Sequence, residues 1–231
     1  MNAKIFAAAL VVVCFGGVVH ARTIAIIGTG DVGATLGPRW AAAGHEIVYG
    51  SRSPESGRVQ ALVVETGVDA WAALPSDAAV AAEVIVLAIP FSVVEDLLPR
   101  LGDQQGKIVI DCTNPLSRDL ADLVVGHGSS GAEIVAGLLP GARVVKALNT
   151  TGVSNMRDTA YPDGPPTMLM AGESAMAKAV VAGLISDLGF EPVDAGPLKS
   201  ARWLEPLAML WIELAYRQGM GDDIAFKLIR R

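Results

Sequence analysis

The sequence predicts an α/β fold: a doubly wound parallel sheet with a short C-terminal helical appendage. Three observations predict it. Short apolar runs alternate with stretches of helical spacing along most of the chain. One of those runs, Val84–Ile89, is apolar without alternation, as a strand buried on both faces requires. A glycine-rich turn, Gly28-Thr29-Gly30-Asp31-Val32-Gly33, separates the first run from the first helix.

The first strand is Thr23–Ile27, and the helix after the turn continues to Ala43, where Gly44 stops it. Each glycine has a physical task. Gly28 permits the tight turn, Gly30 lets the backbone approach a pyrophosphate, and Gly33 lets the helix lie close on the strand. The anion would sit at the helix N-terminus, where unpaired N–H groups and the macrodipole favour it. The second strand, Glu46–Tyr49, leads to Ser51-Arg52. NAD-binding units place an Asp or Glu there for the ribose 2′-hydroxyl. A hydroxyl and a guanidinium stand here instead, and a guanidinium matches phosphate geometry. The expected cofactor is therefore NADP(H). Arg58 is expected further along the next helix, which leaves Arg52 as the fixed charge at this strand end.

Ser53-Pro54-Glu55 reads as a turn into a helix, with Pro54 suited to the first helical position. Pro75-Ser76-Asp77 opens a short helix through Ala82, with Ser76 as its cap. Pro90 ends the Val84–Ile89 strand, and Ser92–Leu98 forms a short amphipathic helix. Gly106-Lys107 turns into the strand Ile108–Asp111, which delivers the loop Cys112-Thr113-Asn114-Pro115. A glycine- and serine-rich loop, Gly126–Gly131, precedes a helix over Ala132–Leu139. The strand Val144–Leu148 then ends at Asn149-Thr150-Thr151-Gly152. A strand at Thr167–Ala171, a helix at Ser174–Leu188 and a strand at Glu191–Asp194 follow.

Beyond Pro197, Trp203, Leu207, Leu210 or Trp211, and Leu214 recur at helical spacing. This segment is expected to close over one end of the ligand crevice. Pro206 predicts a kink or a fresh helix start. After Gly219 and Gly221 a short basic helix ending at Arg230-Arg231 is expected.

In such sheets ligands bind outside the carboxyl ends of the strands. Gly28–Gly33, Ser51-Arg52, Ile89-Pro90, Asn114-Pro115 and Asn149–Val153 therefore converge on one crevice. Asn114 and Asn149 suit both a ribose or carboxamide contact and ordinary turn chemistry. Lys146, inside an apolar strand, calls for an acidic partner such as Asp111. His45 and His127, each beside a glycine, are expected at the surface. No acid–base dyad stands out, and no catalytic or metal-ligating residue is assigned. That suits direct hydride transfer, in which the cofactor carries the chemistry and the protein sets distance and orientation.

Composition bounds the partners. The 52% hydrophobic and 18% charged content of the 231 residues describes a globular chain, not a disordered one. A net charge of −6 argues against nucleic acid as a partner. Residues 1–21 differ from the rest: Lys4 is the one charge, Ile5–Val19 is uncharged and mostly apolar, and Val19-His20-Ala21 resembles a cleavage site. This is the pattern of a signal peptide, and it predicts export to the periplasm or medium with a mature start at Arg22. An uncleaved leader would instead leave the chain on the cytoplasmic face. Cleavage removes Cys14 and leaves Cys112 alone, so no internal disulfide forms. The expected organisation is a signal peptide at 1–21, an NADP-binding unit at 22–197 and a C-terminal helical segment at 198–231.

GTGDVG with GSRSP, DCTNPL, GARVVKALNT, GFEPVDAGPL and ARWLEP together resemble the NADPH-dependent reductases of the deazaflavin coenzyme F-420. They are equally similar to the NADPH domain of the six-transmembrane metalloreductases. The resemblance runs from Thr23 to about Trp211. It implies hydride transfer between NADP(H) and a flavin-like acceptor, deazaflavin or flavin. Carried over by position, Thr29-Gly30-Asp31-Val32 would hold the pyrophosphate, and Ser51 with Arg52 the 2′-phosphate. Ile89-Pro90, Asn114, Asn149 and Val153 would flank the nicotinamide ribose. The deazaflavin reductases carry a lysine a few residues after the Ser-Arg pair, where this sequence has Ser56. A membrane electron carrier and a second copy of the chain stand as candidate partners. The competing readings are a non-catalytic NADP(H)-binding module and an imine reductase of the pyrroline-carboxylate type. The latter needs a long helical domain, and residues 198–231 are short for one.

Overall fold

The computed structural model describes residues 21–231, so the leader, apart from Ala21, lies outside the described residues. Its strands are β1 (Thr23–Ile27), β2 (Glu46–Gly50), β3 (Ala70–Ala73), β4 (Val84–Leu87), β5 (Ile108–Asp111), β6 (Arg143–Lys146), β7 (Thr167–Gly172) and β8 (Glu191–Asp194). They form one sheet in the order β3-β2-β1-β4-β5-β6-β7-β8. Every pairing is parallel except β6 with β7, so the sheet is mostly parallel with one reversal. β3 is an addition to the expected strands. Its Ala-Trp-Ala-Ala is short and has no buried residue, and it sits at the edge, paired only to β2.

The helices are α1 (Asp31–Ala42), α2 (Gly57–Thr66), α3 (Pro75–Ala81), α4 (Val94–Leu97), α5 (Gly131–Leu138), α6 (Val153–Arg157), α7 (Ala175–Asp187) and α8 (Ala201–Ile212). Strand side chains alternate between two faces, and both are covered. Ile24, Ile26, Val84 and Val86 meet Leu36, Trp40, Leu62 and Ile185 from α1, α2 and α7. Ala25, Ile27, Ile85 and Leu87 meet Ala78, Val94 and Val135 from α3, α4 and α5, with Ala201 at the start of α8. This is the doubly wound arrangement the apolar runs predict.

Several local expectations change. Pro54 lies in a turn closed by the Ser56 N–H on Ser53 O at 3.1 Å, so α2 starts at Gly57 with Ser56 as its N-cap. Pro75, not Ser76, sets the start of α3, because its fixed φ suits the first helical position behind Leu74. The stretch after Pro90 is broken into 3-10 turns at Phe91–Val93 and Leu98–Leu101 around α4. His45 is buried: Nδ1 accepts the Arg22 N–H at 3.2 Å, and Nε2 meets Asp187 Oδ2 at 3.1 Å. His127 is exposed, as expected.

α8 runs through Pro206 without a fresh start. Its buried face is Leu204, Glu205, Ala208 and Trp211, while Trp203 and Leu210 face outward at 67% and 47% exposure. The expected stripe is therefore split: Trp203 and Leu210 face outward, Leu207 and Leu214 are half-buried, and Trp211 is buried. A π-helical turn, Glu213–Arg217, follows. The basic helix expected at the end does not form. Residues 222–228 lie against the domain because Trp211, Asn155, Tyr161 and Thr167 donate to the carbonyls of Ile224, Asp223 and Phe226.

One buried ionic cluster ties β5, β6, α5 and α8 together. Lys146 Nζ meets Asp111 Oδ2 at 3.0 Å and Glu205 Oε1 at 2.9 Å, and donates to Thr113 O. Asp111 Oδ1 accepts the Thr113 N–H and hydroxyl at 2.9 and 2.7 Å. Glu205 accepts the first N–H groups of α5, Gly131 at 2.9 Å and Ala132 at 3.1 Å. Burial pushes the Lys146 ammonium down, yet the two carboxylates outweigh it and hold it above its ordinary value.

Lys146→Met leaves two buried carboxylates without their cation, and is expected to lose about 3–5 kcal/mol of stability in urea unfolding. The raised lysine contributes fully below its unfolded value and is lost only as pH climbs through the higher folded one. The deficit of the variant should therefore be constant between about pH 6 and 9. A deficit that vanishes within that window would contradict the charge assignment.

Candidate nucleotide-binding site

The site is built where β1, β2 and β4 end together. Ala88 N–H donates to Ile27 O, and Gly28 N–H to Gly50 O, each at 3.0 Å. Gly28 has φ +112°, and a Cβ there would fall 2.2 Å from Ala88 O. A Cβ at Gly33 would fall 2.1 Å from Gly28 O, so the first turn of α1 sits directly on the glycine turn. Above Gly30 a Cβ would meet nothing within 4 Å. Backbone is thus exposed to open space at the one position where an anion must approach.

The first bond of α1 is Ala34 N–H to Gly30 O at 2.8 Å. The N–H groups of Asp31, Val32 and Gly33 lie outside the ladder, and no side chain caps them. They and the helix dipole suit a pyrophosphate. The Asp31 side chain is exposed in this first turn, so any contribution from Asp31 to the anion comes from its backbone.

A cleft of about 630 Å³ opens over this turn. It is lined by Gly28, Thr29 and Gly30 of the turn, by Ser51, Arg52, Ser53, Ser56 and Arg58 after β2, and by Ile89, Pro90, Val93, Asp96, Leu97 and Arg100 after β4. Its size suits a nucleotide. Arg58 is the residue that sequence reasoning misplaced. The late start of α2 puts it in the first turn, with Nη2 donating to Thr29 O at 3.1 Å.

The other expected residues gather at the ends of β5 and β6, outside that cleft. Asn114 Nδ2 donates to Asn149 O at 2.9 Å, and Asn149 Nδ2 to Asn114 Oδ1 at 3.0 Å. Asn149 Nδ2 also reaches Leu204 O on α8 at 3.1 Å. Its Oδ1 is buried without a partner. That orphaned acceptor fits a carboxamide N–H donor. Val153 opens α6 just after Gly152, against which the Trp211 ring is pressed; a Cβ at Gly152 would lie 2.4 Å from that ring. The C-terminal segment therefore packs on the ends of β5 and β6 through Leu204 and Trp211 and not through Trp203.

A second hollow of about 500 Å³ lies between residues 121–129 and α8, lined by His127, Arg202 and Glu205 among others. Arg202 is held there by Glu133, at 2.8 and 2.7 Å. That pairing keeps the Glu133 carboxyl below its usual range. The Cys112 thiol is pushed well above its ordinary value by burial and by Asp111, so it is inert at neutral pH. Among the described residues no cluster of His, Cys, Asp and Glu is arranged to hold a metal ion.

The family model described as "NADP oxidoreductase coenzyme F420-dependent" matches residues 23–115. The chain is 31% identical over 208 residues to the F420-dependent NADP reductase of Methanothermobacter thermautotrophicus, covering 84% of this chain and 89% of that protein. It is 34% identical over 197 residues to the metalloreductase STEAP3 of Rattus norvegicus, covering 83% of this chain but only 38% of that longer protein. A crystal structure from Arthrobacter sp. FB24, of a candidate F420-dependent NADP reductase, superposes with a TM-score of 0.82 at 32% identity. That match covers 91% of this chain and all of the other. A doubly wound sheet with a glycine turn and likeness over nearly the full length of a reductase lead to one conclusion: the chain belongs to the F420-dependent NADP reductase family and is an NADP-dependent oxidoreductase.

Proposed function

We propose that the chain passes a hydride between NADP(H) and a deazaflavin-type acceptor. The observation that carries this is the extent of the likeness. The chain covers 89% of the Methanothermobacter reductase but 38% of the metalloreductase. The bound nicotinamide supplies the hydride, and the chain supplies position. The Gly28–Gly33 turn and the N-terminus of α1 take the pyrophosphate, with Ser51 and Arg52 at the 2′-phosphate. Ile89, Pro90, Asn114, Asn149 and Val153 flank the nicotinamide ribose, with Asn149 Oδ1 accepting from the carboxamide. The 34% identity with the metalloreductase favours a second reading, an NADPH-side module serving a membrane electron carrier. Export through the leader belongs to that reading as a further proposal.

Purified protein mixed with NADPH and a deazaflavin should show coupled loss of both absorbances. Riboflavin, FMN and a ferric chelate serve as competing acceptors. Turnover with the ferric chelate alone would favour the second reading, and turnover with none would favour a binding module.

Nucleotide recognition divides between two variants. Gly30→Ala closes the open space under the pyrophosphate, and should weaken NADPH and NADH together in calorimetric titrations. Arg52→Ala should weaken NADPH about ten- to a hundredfold, since a charge-assisted hydrogen bond is worth about 1.5–3 kcal/mol. NADH, without the 2′-phosphate, should be nearly unaffected. Equal losses for both nucleotides on Arg52→Ala would mean that Arg52 supports the fold and not the phosphate.

A further inference from the structure

We infer that Arg58 is a second guanidinium for the 2′-phosphate, standing in for the lysine that this sequence replaces with Ser56. The inference rests on the NADP(H) reading and adds to it a residue and a mode of binding.

Three observations carry it. The first is position. Arg58 is the second residue of α2, and it lines the same cleft as Ser51, Arg52 and Ser56. Its Nη2 donates to Thr29 O at 3.1 Å, so the guanidinium stands between the glycine turn and the end of β2. Dinucleotide-binding units hold the ribose 2′-hydroxyl near the end of this second strand, so a 2′-phosphate would belong on this side of the cleft.

The second is charge. Three of the twelve arginines, Arg22, Arg202 and Arg217, are paired with a carboxylate among the described residues, and Arg100, which also lines this cleft, is not. Among the described residues neither Arg52 nor Arg58 has a carboxylate within 4.0 Å, although the chain carries six more acidic charges than basic ones. Two guanidinium groups without carboxylate partners in one cleft suit a dianionic ligand. Arg58 has five N–H donors and uses one on Thr29, so a phosphate can be bonded without breaking that contact.

The third is the helix beneath. The first bond of α2 is Gln60 N–H to Ser56 O at 3.0 Å, which leaves the N–H groups of Gly57, Arg58 and Val59 outside the ladder. No acidic residue occupies this first turn, and the Ser56 hydroxyl does not cap it. The positive end of a ten-residue helix is thus left without an anion beside two unpaired arginines.

Because one guanidinium would bridge Thr29 O and the phosphate, recognition of the 2′-phosphate also braces the turn that holds the pyrophosphate. The test is calorimetric titration of NADPH and NADH into full-length Arg58→Ala, Arg58→Gln, Arg58→Lys and the Arg52→Ala/Arg58→Ala double variant, with thermal melts to check folding. Arg58→Ala should weaken NADPH about tenfold and NADH less than about twofold, and the double variant should lose the NADPH preference entirely. Arg58→Gln keeps a donor for Thr29 but no charge, and should behave like Ala; Arg58→Lys should retain part of the preference. If Arg58→Gln binds both nucleotides like the wild type, or Arg58→Ala weakens both equally, the residue only braces the turn and the inference is wrong. Unchanged binding in Arg58→Ala overturns it as well. A wild type that binds NADH as tightly as NADPH would instead bring down the NADP(H) reading itself, a result the variants cannot mimic.

Discussion

The ends of β5 and β6 and the docking of the last helix depend on an ammonium group buried among three oxygens. Lys146 is wholly inaccessible, and each of its three protons has a partner: Asp111, Glu205 and the Thr113 carbonyl. A buried charge is tolerable only when every hydrogen bond is made, and here the second carboxylate is itself satisfied by the N-terminus of α5. The cluster fixes the start of the loop that carries Asn114 and docks the helix whose Leu204 carbonyl receives Asn149. Apolar side chains could fill the same volume, but they would not specify which helix end meets which strand.

Apolar runs marked β1, β2 and β4–β7, since a strand covered on both faces has little freedom in composition. β3 escaped because an edge strand of Ala-Trp-Ala-Ala, paired on one side, has no such constraint. The glycine turn was legible residue by residue, because Gly28 and Gly33 answer steric limits set within a few positions. Arg58 was not. Its place follows from where α2 begins, and a start at Gly57 in place of Pro54 moves the side chain into the first turn. Glu205 and the tail were illegible for another reason: apart from the Trp211 contact to Ile224, the partners named above lie 59 or more residues away, and local pattern carries no trace of them.

The reversal at β7 has its own logic. Gly172 pairs with Val145 at the antiparallel junction, and Gly172 N–H donates to Gly196 O. The chain therefore re-emerges from β8 near the level at which β6 begins. α8 can then climb beside β6, with Glu205 reaching Lys146, Leu204 reaching Asn149 and Trp211 reaching Gly152. An all-parallel sheet would have released this helix at the opposite end. One antiparallel pair thus delivers the last helix to the ends of β5 and β6.

The position of Trp211 carries an optical consequence. The chain has four tryptophans, and they sit in three kinds of surroundings. Trp71 and Trp203 are open to water, and Trp40 is sealed in the core with its N–H on Leu184 O. Trp211 is 4% exposed, wedged on Gly152, edge-on to Tyr216 and bonded to Ile224 O. Its emission therefore reads the seam between the β6–α6 loop and the C-terminal helix, while Trp40 emits as a fixed internal standard. Replacing Trp71 and Trp203 by phenylalanine would leave a protein that reports, without any added dye, each small opening of that seam.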